Sequence, residues 1–259
     1  MTDLAALDVA LLRAANPGPY TLSGTNTWIV GRDPAYVVDP GPLLEQHLAA
    51  IVAETDRRGG IGGIALTHGH ADHAEAVGEL RARTFSPALA AAAPGADVVL
   101  GDGDRFGPLR AIATPGHALD HVAFIFGGVC FTGDAVLGEG SVFVSPDRGA
   151  MTGYLRALRR LRELHLSVIC PGHGPVVWDP AAKLEQYLRH RLERERRLLD
   201  ALGRGLRTTG ELLDEVWSDV GAALRPAAAA TLAAHLDRLA ERGLLPAGVE
   251  RSTVRVGPV

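Results

Sequence analysis

The sequence THGHADH, residues 67–73, gathers three histidines and one aspartate within six residues. It directly follows the apolar run 64–66, whose composition predicts a buried β-strand. A helical pattern begins within the motif, at 72–83, so the four side chains lie on a strand-to-helix loop at a sheet edge, where α/β folds place ligands. Core packing cannot satisfy so many imidazole and carboxylate groups in one short loop. They suit Zn²⁺ or a similar cation.

Three later apolar runs end in the same manner, each on a residue type that binds metals. Their ends read TPGH at 114–117, TGD at 132–134 and PGHG at 171–174. A single histidine of this kind is more often a hydrogen-bonded structural residue. In this order after the first cluster, the three ends predict further ligands at the same sheet edge, namely His117, Asp134 and His173.

Strand and helix patterns follow one another in mixed order, which predicts an α/β layered domain. A hairpin is predicted from 27–30 and 36–38, and further strands at 64–66, 98–100, 110–114, 121–126, 129–132 and 168–170. Helices are predicted at 43–57, 72–83 and 152–164.

The pattern changes near Lys183, where a long charged helix is predicted to run to about 202. A capping box at 208–211 opens a second helix, and Pro226 fits the first turn of a third that ends before Gly243. A hairpin at 249–256 would complete a small winged-helix-like module.

The composition is that of a globular protein with a sizeable core. The 259 residues are 47% hydrophobic and 22% charged, which excludes wholesale disorder, and the net charge of −4 excludes a globally basic nucleic-acid coat. Two cysteines cannot form a disulfide framework, and residues 1–18 lack the features of a signal peptide. No apolar run is long enough for a membrane span. We therefore expect a soluble, cytoplasmic protein; whether it forms a homodimer is left open.

The order HxHxDH, PGH, TGD and GHG resembles the metallo-β-lactamase superfamily, whose fold is an αββα sandwich. The chain is similar in particular to the lactamase-beta-like protein 2 branch, through TNTWIVG (25–31), VVDPG (37–41), PGHALDHVAF (115–124) and LEQYLRHRLERERRLLDAL (184–202). The resemblance covers roughly residues 20–245. It implies an α/β, αββα catalytic domain over 1–185 and a small, mostly helical, winged-helix-like domain over 186–259.

The resemblance further implies two divalent metal ions with a bridging hydroxide between them. Asp72 would orient that hydroxide besides binding a metal, so it is the catalytic candidate. Zn²⁺ is the expected ion, with Mn²⁺ or Fe as alternatives on the same ligands. The implied ligands are His68, His70 and His117 for the first ion, Asp72, His73 and His173 for the second, and Asp134 for both.

Three more residues are candidates for supporting roles. Asp39 resembles the family's acid that hydrogen-bonds a metal-site loop, although a simple turn role at its strand end fits the sequence equally well. His121 either contacts the substrate or braces a ligand. Asn26 lies in a loop that the family brings towards the site, so a polar contact with the substrate is open to it.

Asp134 also bears on the substrate. Penicillin-cleaving members with a mixed site carry a cysteine there or lack the bridging acid, whereas an aspartate resembles the thioester hydrolases, lactonases and nucleases of the superfamily. A true antibiotic-degrading β-lactamase is therefore not expected. The branch resemblance implies an endoribonuclease acting on single-stranded RNA, and the alternative is a glyoxalase II-like hydrolase of a small thioester, ester or lactone. A non-catalytic, metal-bound scaffold is the third hypothesis.

The C-terminal charges leave the choice of substrate open. Seven arginines occur between 188 and 207, and a face of them could follow an RNA backbone. The same residues also suit a solvated helix with ion pairs between neighbouring turns. Residues 1–185 carry 14 basic and 20 acidic residues, which favours a small-molecule substrate in the catalytic part.

Overall fold

Two β-sheets packed face to face form the centre of the protein. The computed structural model describes residues 3–85 and 87–250. The first sheet has its strands in chain order: β1 (Val9–Arg13), β2 (Asn26–Val30), β3 (Ala35–Val38), β4 (Ile61–Ala65), β5 (Leu89–Ala91) and β6 (Val98–Val99). The second sheet has the order β11-β10-β9-β8-β7, built from β7 (Arg105–Phe106), β8 (Leu109–Ala113), β9 (Val122–Phe126), β10 (Val129–Gly133) and β11 (Val168–Pro171).

Each sheet buries its inner face against the other and its outer face under helices. Trp28 of β2 and Phe131 of β10 meet between the sheets, with ring centroids 5.9 Å apart. The outer face of the first sheet is covered by α1 (Glu45–Asp56) and α3 (Val77–Arg83), and that of the second by α4 (Ala150–Glu163). The four layers match the αββα arrangement that the resemblance implies.

The helix predicted for 72–83 is interrupted. A short α2 (Ala71–Ala74) precedes α3, because the backbone N–H of Ala76 donates to the carbonyl of Gly41 at 3.1 Å instead of continuing the helical ladder. This contact ties the histidine-rich loop to the turn that follows β3.

Three helices follow the sandwich, close to where the sequence predicts them. The long α5 (Pro180–Gly203) begins at Asp179, whose side chain accepts from the N–H of Ala182. Thr208 and Glu211 form the predicted capping box at the start of α6 (Thr209–Val216), and α7 (Arg225–Glu241) follows. None of the described helices is long and apolar enough to cross a membrane.

The predicted division at 185/186 falls inside α5. The first half of this helix packs Leu184 and Leu188 with α4, whereas Leu198 and Leu202 in its second half enter a separate apolar cluster with α6 and α7. The hairpin predicted for 249–256 lies mostly outside the described residues. A winged helix is therefore not confirmed, and the two-domain division stays a prediction.

Candidate metal centre

Four strands end at one edge of the sandwich, and the loops that follow them carry the predicted ligands. The loop after β4 holds the THGHADH motif, and the turns after β8, β10 and β11 hold His117, Asp134 and His173. The N–H of Gly172 donates to the carbonyl of Gly133 at 2.9 Å, which joins the last two of these turns. The side chains meet although they are up to 105 residues apart, from position 68 to position 173.

One group of three histidines converges at this edge. His68 Nε2 lies 3.0 Å from His70 Nδ1, and His117 Nε2 lies 2.9 Å from the same atom. Burial lowers the pKa of His117 to about 4, and burial likewise lowers the pKa values of His68 and His70. Three neutral imidazoles therefore direct their lone pairs at one point.

A second group lies beside the first. His173 Nε2 is 3.1 Å from Asp72 Oδ2 and 3.3 Å from His73 Nε2, and the latter is 3.4 Å from the same carboxylate oxygen. All three residues are buried.

Asp134 faces both groups with one oxygen each. Its Oδ1 lies 3.4 Å from His173 Nε2 and 3.5 Å from His73 Nε2, while its Oδ2 lies 3.5 Å from His117 Nε2. Oδ1 is buried and has no hydrogen-bond partner among the described residues. A buried carboxylate oxygen without a donor is costly unless a cation neutralises it.

The arrangement fits two divalent ions. With bond lengths near 2.0–2.1 Å, tetrahedral coordination places ligand atoms roughly 3.3–3.4 Å apart, close to the separations found in both groups. Each group offers three ligand atoms within 4.8 Å of one another, and Asp134 shares a further such triad with His68 and His73. Imidazole and carboxylate donors suit Zn²⁺, Fe and Mn²⁺ alike, so the identity of the metal stays open.

Hydrogen bonds from the protein fix the orientation of the histidine rings. His117 Nδ1 donates to the carbonyl of Phe143 at 3.3 Å, and His173 Nδ1 donates to that of Gly24 at 3.4 Å. Both bonds leave Nε2 as the free lone pair, as bonds to metal-bound histidines commonly do.

Asp39 connects the two groups from behind. Its Oδ2 accepts from His73 Nδ1 at 2.9 Å and from the Thr67 hydroxyl at 2.8 Å, and its Oδ1 accepts from the Thr67 N–H at 2.8 Å. The Thr67 hydroxyl in turn accepts from His68 Nδ1 at 3.1 Å. Asp39 therefore hydrogen-bonds the histidine-rich loop at Thr67 and His73, and its part in metal binding stays a prediction. Thr67 was not singled out in the sequence, because a threonine next to a histidine cluster carries no specific signal.

The side chains of His121 and Asn26 are already engaged by the protein. His121 Nδ1 lies 2.8 Å from the Thr114 hydroxyl, and its Nε2 accepts from the N–H of Asp134 at 3.2 Å. Asn26 Nδ2 donates to the carbonyls of Pro171 and Gly174, at 3.0 and 2.9 Å. This geometry favours bracing of Asp134 and of the His173 turn over contact with a substrate.

The second group attracts protons when no metal is bound. Burial alone would lower the pKa of His173, but Asp134 and Asp72 outweigh it and raise this pKa to about 9. Burial also opposes the protonation of His73, yet the charges of Asp134, Asp72 and Asp39 raise its pKa well above the ordinary value. A metal ion must displace these protons, so its affinity rises with pH.

We expect the stability of the metal-free protein and the additional stability conferred by zinc to change in opposite directions with pH. A pKa raised from 6.5 to about 9 corresponds to roughly 3 kcal/mol of stability, which is fully present below pH 6.5 and is lost as the pH rises through 9. The melting temperature of the metal-free protein should therefore fall across this window, and the stabilisation by zinc should grow. Calorimetry with and without a chelator measures both. A melting temperature of the metal-free protein that stays constant between pH 6.5 and 9 would contradict the raised pKa of His173.

A cavity of about 210 Å³ opens beside the two groups and is bordered by His117, Asp134 and His173. One wall comes from the loops of the sandwich, mainly Tyr20, Leu22, Leu137, Val142 and Phe143. The other comes from the C-terminal helices, mainly Trp217, Val220, Leu224, Ala227 and Ala228. Most of the lining is apolar, and no motif in the sequence indicates it, because the residues are common core types scattered along the chain.

The family model that matches the chain is described as the metallo-beta-lactamase superfamily, over residues 20–96 and 86–173. An atrochrysone carboxyl ACP thioesterase of Aspergillus chevalieri is 35% identical over 82% of this chain and 74% of its own length. A beta-lactamase-like protein 2 homolog of Caenorhabditis elegans is 30% identical over 89% of this chain and 83% of its own.

The fold is also found among solved structures. A metallo-beta-lactamase family protein from Thermus thermophilus has a TM-score of 0.70 and 26% identity, and the match covers 91% of this chain and 94% of that one. The coverage extends well beyond the sandwich. These matches confirm the resemblance found in the sequence: the chain belongs to the metallo-β-lactamase superfamily of hydrolases.

Proposed function

We propose that the protein hydrolyses thioesters or esters that carry a bulky, apolar acyl group, at a centre of two divalent metal ions. The observation that carries this proposal is the apolar cavity, which begins at the candidate ligands and extends to Trp217 of the C-terminal helices. An apolar wall beside the reacting centre binds a hydrocarbon or aromatic acyl group. The thioesterase name of the Aspergillus relative supports the same class of substrate.

The hypothesis of an RNA substrate receives less support from the helix that suggested it. Six of the seven arginines between 188 and 207 are engaged within the protein. Arg196 pairs with Glu193 and Asp200, and Arg204 pairs with Glu215. Arg191, Arg194, Arg197 and Arg207 donate to backbone carbonyls. Few of these charges are free to follow a phosphate backbone, and endoribonuclease activity stays a prediction to be tested beside the proposed one.

The reaction adds water across the C–S or C–O bond of the acyl group. The water oxygen bonds to the carbonyl carbon, and the sulfur or oxygen leaves with a proton. Two divalent ions held by the seven candidate ligands would lower the pKa of water and polarise the carbonyl.

The protein supplies orientation and charge at fixed atoms. Asp72 Oδ2 lies 3.4 Å from the Thr25 hydroxyl and 3.1 Å from His173 Nε2, at the border of the second group. In the proposed reaction, Asp72 accepts a hydrogen bond from the attacking water. His173 lines the cavity, and its Nε2 lies 3.1 Å from Asp72 Oδ2. An acyl carbon bound in the cavity would approach this carboxylate from that side.

Turnover of a series of acyl thioesters tests the proposal. With zinc-loaded protein, kcat/KM should rise by up to about fourfold per added methylene, because each buried CH₂ contributes about 0.8 kcal/mol. Filling the cavity by Ala228→Leu should reduce turnover of the longest acyl groups by about tenfold and leave the acetyl thioester unchanged. Release of free thiol measures both.

A single-stranded RNA and a chromogenic β-lactam belong in the same panel. We expect neither to be turned over at a comparable rate. RNA cleavage that weakens steeply with salt, without hydrolysis of any thioester or ester, would replace the proposal by the endoribonuclease.

A further inference from the structure

We infer that Arg191 binds a carboxylate carried by the acyl group of the substrate, so that the protein selects acidic acyl groups within an otherwise apolar cavity. This inference deepens the proposed function and rests on it. Arg191 lies on α5 and lines the same cavity as the candidate ligands His117, Asp134 and His173.

Arg191 is a buried cation without an acidic partner. Only 2% of the residue is exposed. One terminal nitrogen donates to the carbonyl of Val142, and the guanidinium lies 5.4 Å from the centre of the Tyr154 ring. Its Nε has no hydrogen-bond partner, and no carboxylate forms an ion pair with it, among residues 3–85 and 87–250. A buried charge in this state is costly until an anion reaches it.

Tyr154, whose ring lies against Arg191, does not supply that anion. Burial raises the pKa of Tyr154 to about 12, so its hydroxyl is neutral at physiological pH. Two acids on neighbouring stretches are already paired: Asp219 with Arg194, and Glu195 with Arg238 and Arg242. Asp134 and Glu139 line the cavity, but within the described residues neither forms an ion pair with Arg191.

The adjacent His190 adds a second unpaired donor to the same cavity. Burial, together with Arg191 and Arg194, lowers the pKa of His190 to about 4, so its ring is neutral. Its Nε2 accepts from Arg194 Nε at 3.3 Å, which places the ring proton on Nδ1. That Nδ1 is buried and has no partner within the described part of the chain.

These two donors indicate the chemistry of the group that they bind. An N–H of a guanidinium and an N–H of a neutral imidazole both seek an acceptor, and only the first carries charge. A carboxylate matches these donors in kind, because it brings one negative charge and two acceptor oxygens. Because the cavity continues to the candidate ligands, the carboxylate belongs to the acyl part whose thioester is cleaved.

Kinetics with matched acyl groups tests the inference. The substrates are N-acetylcysteamine monothioesters of linear dicarboxylic acids of increasing length, each compared with the thioester whose distal acid is capped as a primary amide. For the length that spans the cavity, the wild-type protein should prefer the acid by about 10- to 100-fold in kcat/KM, mainly through KM. Arg191→Gln should remove this preference, and Arg191→Lys should retain part of it.

Arg189→Gln is the matched control, because Arg189 lies on the same helix, is exposed and does not line the cavity. It should keep the full preference for the acid. Equal turnover of acid and amide at every length by the wild-type protein overturns the inference, even if the Arg191 variants fail to fold. A preference that survives Arg191→Gln overturns it as well.

The neutral octanoyl thioester separates this inference from the proposed function. If it is hydrolysed but no acid is preferred, the proposed function stands and only the role of Arg191 is wrong. If no thioester is hydrolysed, a binding titration tests independently whether Arg191 binds a carboxylate. The protein is titrated with 2-naphthoate and with 2-naphthamide, and binding is measured by tryptophan fluorescence, because Trp217 lines the cavity. Arg191→Gln should weaken binding of the naphthoate at least tenfold and leave that of the amide unchanged; naphthoate binding that is unaltered in this variant would contradict the inference.

Discussion

Asp134→Asn is expected to lower kcat/KM by about 10³-fold or more and to reduce the zinc content per chain by at least half. The wild-type carboxylate gives one oxygen to each histidine group, and an amide has only one oxygen and no charge to offer. Burial alone would raise the pKa of Asp134, but His173 and His73 hold it well below the ordinary value, so it stays ionised. Elemental analysis of the purified variant and turnover of the best thioester measure the two effects.

Asp56→Asn makes the same change of charge on an exposed residue at the end of α1, and it should leave both quantities unchanged. If Asp134→Asn keeps its full zinc content and its activity within tenfold of wild type, Asp134 does not bridge two metals.

Gly172→Ala is expected to reduce turnover by about 10²-fold without adding or removing any polar group. A Cβ at this position would lie 2.7 Å from Asp134 Oδ1 and 2.7 Å from His73 Cε1, closer than such contacts allow. Relief of this overlap must move a candidate ligand of the second group. Zinc affinity and kcat/KM should therefore fall together, which a metal titration and steady-state kinetics would show.

Gly69→Ala is the matched control, because Gly69 lies between His68 and His70 and a Cβ there would meet nothing within 4 Å. This variant should bind zinc and turn over substrate as the wild type does. Equal losses in both variants would mean that the loops, rather than the contact at Gly172, are sensitive to any substitution.

The sequence predicts that the seven candidate ligands lie close together, because their positions follow a local rule. Four of the seven lie in one motif of seven residues, and the other three follow directly on strands. Strand ends that meet at one edge of a sheet bring such residues together, regardless of the length and conformation of the segments that connect the strands. The β1 strand (Val9–Arg13) was missed, since its apolar pattern is partly exposed and no turn motif marks its ends.

The walls of the cavity could not be predicted in this way. They come from stretches as far apart as Tyr20 and Thr231, and their apolar side chains resemble those of any core. In the sequence, Arg191 is one of seven arginines on a helix that also fits a solvated surface, because the helical pattern does not show which side α4 and α7 cover. Burial by other elements, rather than local sequence, sets this residue apart.

The candidate metal ligands and one wall of the cavity come from different parts of the chain. Every candidate ligand lies between positions 68 and 173, whereas one whole wall of the cavity is contributed by residues after position 189. Substitutions in the last third of the chain would therefore change the shape of the cavity while all seven candidate ligands stay in place. Under the proposed function, a change in the C-terminal helices alone would alter the preferred acyl group without touching any candidate ligand.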